Sequence, residues 1–236
     1  MDNYNMIFNG LTSQSHNIFF YDYPEFTYAK DREEVISVQG RNGDLFIGDK
    51  SYGNMEITCT FGLLTANNRE WDMALRACKR WLRGNEDNKL TFSYNEDYYY
   101  LVKKAVVQSH ARELGRFGTV TVIFYCYPYE YAAGSDIYHD NPGNLYNIYG
   151  ESHPTYYIEG EGMCTITVNG KKLTANVGQN LTINTDLQIA YRQDGTENNT
   201  AITGDYEDLY LIPGKNVIEM TSGFKLKVAP MWGELV

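Results

Sequence analysis

The sequence is poor in the residues that most metal and nucleophile chemistry uses. Among 236 residues there are four histidines and four cysteines. His16, His110, His139 and His153 show neither HExxH nor HxH spacing, so no zinc site is signalled. Cys59, Cys78, Cys126 and Cys164 form no CxxC pair, and each lies in an apolar periodic segment. They read as free thiols in cores, in a chain made in a reducing cytoplasm. A Cys–His nucleophile has no local signature, and there is no GxSxG elbow and no Walker loop. Gly160-Glu161-Gly162 is not a phosphate loop, because a strand pattern follows it rather than a helix. Neither a catalytic residue nor a cofactor is expected.

Basic residues are also scarce. Twenty stand against 30 acidic ones, for a net charge of −10. Nucleic-acid binding needs a basic patch to replace counterions, and docking on anionic lipid needs the same. No run approaches 18 apolar residues, so no membrane-spanning helix is expected. The start, Met1-Asp2-Asn3-Tyr4-Asn5, lacks the basic and apolar regions of a signal peptide.

What is abundant is tyrosine. There are 21, and aromatics reach 14%. Tyrosine suits pleated sheets and packs well at contacts, so the chain reads as mainly β. Hydrophobic residues at 43% suffice for a core. The length suits one large β domain or two small ones, at roughly 100–200 residues each.

The first half reads as β with a single helix. SVQGRNGDLFI at 37–47 places Gly40 and an Asn42-Gly43 turn between extended pieces, a hairpin signal. In NMEITCTF at 54–61, Met55, Ile57, Cys59 and Phe61 alternate with Glu56, Thr58 and Thr60. The spacing predicts a helix over 69–83. Asn67 and Glu70 supply a box-like cap, and Trp71, Ala74, Leu75, Cys78 and Leu82 form the apolar stripe. Arg76, Lys79, Arg80 and Arg83 read as a solvated face suited to the negative end of the helix dipole, and Gly84 stops the helix. Leu90–Tyr94 alternates, Asn95-Glu96-Asp97 reads as a turn, and Tyr98–Val107 extends again. TVTVIFYCY at 119–127 is the strongest strand. Val120, Val122, Phe124 and Cys126 share one face; the other turns apolar at Ile123, Tyr125 and Tyr127. A strand covered on both sides needs a second packing layer, and a neighbouring subunit can supply it. Ile123, Tyr125 and Tyr127 are therefore the candidate subunit-interface residues.

A boundary is placed in AAGSDIYHDNP at 132–142, giving domains 1–134 and 135–236. The first carries 14 basic and 17 acidic residues, the second 6 and 13. The second reads as a β-sandwich of short strands with turn signals, among them the Asn169-Gly170 hairpin and Ser222-Gly223. Glu159 and Glu161 stand two apart, but read as solvated charges rather than as a glycosidase pair. Asp205, Glu207 and Asp208 cluster without EF-hand spacing and read as a solvated loop. Sugars stack on exposed aromatic rings, so Tyr206, Tyr210 and Trp232 are the weak candidates for a sugar site.

Several segments, in order, then become familiar. They are IFNGLTS at 7–13, VQGRNGDL at 38–45, YGNMEITCTF at 52–61, a Trp-containing helix, LTFSYNEDYYYLV at 90–102 and FGTVTVIFYCYPYEY at 117–131. Together they resemble the distal tail proteins of long, non-contractile-tailed phages. NPGNLYNIYGESHPTYYIEGEG, VNGKKL, NLTINTDLQIAY and LIPGKNVIEM match that family's C-terminal galectin-like sandwich more loosely. The resemblance implies a non-enzymatic virion protein, made in the host cytoplasm, forming a hexameric ring at the distal end of the tail tube. It implies contacts with the tail tube protein above and a tail-associated lysin or fibre protein below. Receptor-binding proteins join the ring in some members. The competing class is a carbohydrate-binding module for host cell-wall sugars, acting through the second domain.

Overall fold

Alternation of apolar and polar residues at period two runs through most of the chain, and the computed structural model answers with 19 strands and one α-helix among the residues it describes. It describes residues 4–84 and 87–236. Residues 1–3, part of the start read above for a leader, lie outside them. The fold is mainly β and divides into two compact units, one reaching Glu130 and including Val236, the other Tyr131–Leu235. Among the described residues no helix is long and apolar enough to cross a membrane.

The first unit contains β1 (Met6–Phe8), β2 (Leu11–Thr12), β3 (Ile18–Phe20), β4 (Glu25–Thr27), β5 (Asp31–Ile36), β6 (Leu45–Tyr52) and β7 (Met55–Leu64). Helix α1 (Trp71–Leu82) follows, then β8 (Lys89–Phe92), β9 (Asn95–Leu114) and β10 (Phe117–Ala132), whose last two residues belong to the second unit. The main sheet runs β2-β1-β8-β9-β10-β7-β3, with β4 also on β7. Strand β7 buries Met55, Ile57, Cys59, Phe61 and Leu63. It pairs antiparallel with β10 in a register that sets Val122 opposite Cys59 and Phe124 opposite Ile57.

Helix α1 lays Trp71, Leu75, Cys78 and Leu82 on that core, as their spacing predicts. The expected Asn67 cap forms one turn early: the helix itself begins after Glu70, which makes no side-chain cap bond, and Asn67 closes the turn that leads into it. Asn67 Oδ1 accepts from the Arg69 and Glu70 amides at 3.0 and 3.3 Å, and Asn67 Nδ2 donates to Glu70 Oε1 at 2.7 Å. Trp81, outside the expected stripe, is buried too, and its Nε1 donates to the Phe8 carbonyl at 2.9 Å.

The Tyr-rich hairpin turns earlier than Asn95-Glu96-Asp97. Phe92 pairs directly with Asn95, so Ser93-Tyr94 makes the turn and β9 starts at Asn95. The reason is packing. The Tyr94 ring stacks on Phe92 at 5.4 Å, which holds it over the sheet end, whereas Glu96 and Asp97 point to solvent from within the strand.

The second unit contains β11 (His139–Asp140), β12 (Asn144–Asn147), β13 (Thr155–Val168), β14 (Lys171–Asn184), β15 (Ile189–Tyr191), β16 (Ile202–Thr203), β17 (Gly214–Met220), β18 (Lys225–Ala229) and β19 (Gly233–Leu235). The order β11-β18-β13-β14-β15 makes its main path. Asn169 and Gly170 turn β13 into β14 with φ of 51° and 86°, the two left-handed positions of a type I′ turn. The short strands expected over 164–168, 173–177 and 181–183 are parts of two 14-residue strands. They bend at Gly162 and Gln179, which hold φ of 97° and 71° while the pairing continues unbroken. The core gathers Tyr156, Ile158, Cys164, Ile166, Leu173, Leu181 and Val228, among others.

Candidate functional site

Groups capable of chemistry are mostly committed to packing. All four cysteines are free and buried. Burial pushes the Cys78 and Cys164 thiols up to about 11 and Cys126 up to about 12, and raises Cys59 further, so none forms a thiolate near neutral pH. His153 Nδ1 lies 3.1 Å from Asp186 Oδ1, and its ring stacks on Tyr210 at 4.2 Å. Glu159 faces Lys225 at 3.8 Å, and Glu161 Oε2 accepts from the Gln179 amide at 3.1 Å. Asp208 pairs with Lys171 at 3.2 Å. Among the described residues no three metal-ligating side chains gather.

The sugar-site candidates do not stand out as bare platforms. Tyr206 packs against the core of the second unit, and its hydroxyl donates to Asn199 Oδ1 at 3.2 Å. Tyr210 is stacked on His153, and Trp232 packs partly into the same core. A polar cleft of about 660 Å³ lies elsewhere in this unit, lined by Glu161, Gln179, Asn180, Arg192 and Asp194. Its Asn180 and Asp194 side chains accept from the backbone amides of Gln193 and Thr196, which ties them into the turn.

Two surfaces of the first unit look outward instead. The first is the outer face of β10. Ile123 and Tyr125 lie opposite Thr58 and Glu56 of β7, and the Lys103 ammonium sits 3.9 Å from the Tyr127 ring centroid. All three candidates are half-buried. They occupy one face of one strand, as the alternation predicts.

The second is the ribbon β5–β6, a two-stranded sheet of its own. Its substantial contacts are between its own two strands. Val35, Val38, Leu45, Phe46 and Ile47 are exposed, Phe46 at 59%. The register sets Val35 opposite Phe46 and Glu34 opposite Ile47, so apolar residues stand on both faces. A lone two-stranded hairpin is marginal in water, and apolar residues on both of its faces call for a partner. The hairpin signal at Gly40 and Asn42-Gly43 was legible, although an eight-residue connection, 37–44, replaces a tight turn. The exposure was the missed feature. Its signal is Leu45-Phe46-Ile47, three consecutive apolar residues that no single strand face can hold.

Comparison with known proteins gives a family likeness for part of the chain and a fold for nearly all of it. Residues 11–126 match the family described as the phage tail protein RIFT-related domain. The match falls within the first unit and spans most of it. No curated protein matches the sequence. Among solved structures the chain is similar to the Dit protein of phage SPP1, titled a paradigm of the hub adsorption apparatus in phages that infect Gram-positive bacteria. Identity is 14%, the match covers 95% of this chain and 97% of that one, and the TM-score is 0.63. The resemblance to siphophage distal tail proteins therefore rests on the match of residues 11–126 to a phage tail family and on a shared fold along nearly the whole chain.

Proposed function

We propose that this chain is a tail hub protein: a structural subunit that closes into a hexameric ring at the distal end of a phage tail tube. It joins the tail tube protein to the tail-associated lysin or fibre protein, in some assemblies together with receptor-binding proteins, and it works in the virion without catalysis. The second unit, read as a galectin-like sandwich, adds peripheral contacts. The observation that carries the reading is the β5–β6 ribbon, exposed on both faces and apolar on both. The tail domain and the likeness to SPP1 Dit support it. A ring needs one heterologous contact repeated around an axis. The ribbon and the face of Ile123, Tyr125 and Tyr127 are the surfaces offered for it.

The test is a concentration series by mass photometry on the purified chain, alongside electron microscopy of assembled particles. Six-fold rings at the tail tip carrying this chain are expected. A chain that stays monomeric at every concentration, in particles that show no such ring, overturns the reading. Binding on a glycan array, lost on replacing Tyr206, Tyr210 or Trp232, would then put sugar recognition in its place.

A further inference from the structure

The exposed side of α1 is unlike the rest of this acidic protein. Residues 69–83 hold five basic and two acidic side chains. At helical spacing Arg69, Arg76, Arg80 and Arg83 fall on the side away from the buried stripe, with Met73, 62% exposed, among them. No ion pair engages Arg76, Arg80 or Arg83 among the described residues. Beside this face lies a groove of about 290 Å³ lined by Asn9, Leu11, His16, Ala77, Arg80, Trp81 and Gly84. Arg80 belongs to both, so a basic face runs directly into a largely apolar slot.

The complement is on the same chain. Residues 31–44 hold four acidic and two basic side chains. In β5–β6, Glu33, Val35 and Phe46 share one face and Glu34, Ile36, Leu45 and Ile47 the other. Each face thus sets one carboxylate beside two or three apolar side chains. The helix surface offers the reverse pattern, guanidinium groups beside an apolar slot. Opposite charges at the rim steer and set register, while an aromatic anchor in a pocket supplies affinity.

We infer that the basic, grooved face of α1 is the seat for the β5–β6 ribbon of a second copy of this chain, with Phe46 in the groove and Glu33 against Arg76 and Arg80. The inference rests on the ring reading and gives it a specific contact. Because ribbon and seat are different surfaces, the contact is heterologous, and each copy presents one of each. Phosphate could also be drawn to five basic side chains. The acidic ribbon is favoured because the net charge of −10 repels a polyanion at long range, whereas the ribbon brings its own apolar anchor.

The test uses the full chain. Arg76→Glu with Arg80→Glu, and separately Glu33→Arg with Glu34→Arg, should each weaken assembly about tenfold or more, and the four changes together should restore much of it. Phe46→Ala should weaken assembly by at least about tenfold, as truncating a buried aromatic anchor does. Circular dichroism melts establish that each variant is folded. A disulfide trap reads the contact without relying on affinity: Phe46→Cys with Ala77→Cys should give a ladder of covalent oligomers on oxidation, in solution or in assembled tails. Rings that form with unchanged affinity after charge reversal, or that yield no ladder, overturn this contact and leave the ring reading standing. Loss of DNA or heparin retention with assembly intact would assign the face to a polyanion. No ring from the wild type, in solution or in particles, removes both readings.

Discussion

The imidazole of His16 lies on the indole of Trp81, ring centroids 4.7 Å apart and planes 26° apart. Its Nε2 is buried and has no hydrogen-bond partner. Burial therefore holds its pKa below the usual histidine value. A base whose folded pKa is depressed binds fewer protons folded than unfolded, so its contribution is complete above about pH 6.5 and fades as the pH falls below that. Replacing it by His16→Gln should flatten the acid side of a melting-temperature profile between pH 5 and 7. A variant with the same slope as wild type would assign the acid sensitivity to other groups.

Leu75 is buried against the sheet, 6% exposed. Leu75→Ala should cost about 2–5 kcal/mol in denaturant melts, the range of buried leucine truncations. A cost below ~0.5 kcal/mol, the size of an ordinary surface substitution, would mean the stripe is not a core contact.

Two glycines separate flexible from rigid crowding. A Cβ at Gly118 would meet the Ala111 carbonyl oxygen at 2.3 Å and the Trp71 ring at 2.7 Å. The first obstacle is backbone of the neighbouring strand and cannot swing away. The three atoms nearest a Cβ at Gly62 all belong to the Phe19 ring, the closest at 2.3 Å, and Phe19 is 37% exposed. Gly118→Ala should therefore lower the melting temperature markedly more than Gly62→Ala. The reverse order would show that β9 yields more easily than the Phe19 side chain.

These comparisons show where the sequence was readable. Period-two runs with one buried face, such as 55–61 and 119–127, predicted their strands because burial fixes the side-chain phase. The turn closed by Asn67 just ahead of α1 was legible because it is local, although the helix itself starts after Glu70. The second half of β9 was not, since His110 to Leu114 are all exposed and the strand exists through its pairing with β10. Trp81 was missed because its burial depends on a bond to Phe8, 73 positions away. Of the candidate surfaces, the β10 face was visible as a second apolar phase. The ribbon was visible only as a hairpin, because exposure is a property of what fails to pack against it.

The second unit should fold alone. Its core cluster draws on residues 145–232 only, and β13–β14 pair over their full 14 residues. A fragment spanning 131–235 should give one cooperative melt and stay monomeric, since the surfaces proposed for assembly lie in the other unit. Absence of a cooperative transition would show that this core needs the first unit to form.

The outer face of β10 yields the last prediction. Ile123 is half-buried opposite Thr58, and Tyr125 is beside it on the same face, opposite Glu56. Ile123→Asp puts a charge there without touching the buried phase of Val122 and Phe124, so the first unit should keep most of its stability. If this face packs on a neighbouring copy, the aspartate must be desolvated at the contact, which is costly without a partner cation. Assembly measured by mass photometry should then shift toward monomers, while the melt of the 131–235 fragment, which lacks the site, provides the unchanged reference. The ribbon and this face make separable claims. Loss of assembly with Phe46→Ala but not with Ile123→Asp would confine the interface to the ribbon and its seat. Loss with Ile123→Asp alone would put β10 at the centre of the contact and leave the apolar ribbon for one of the proteins above or below the ring.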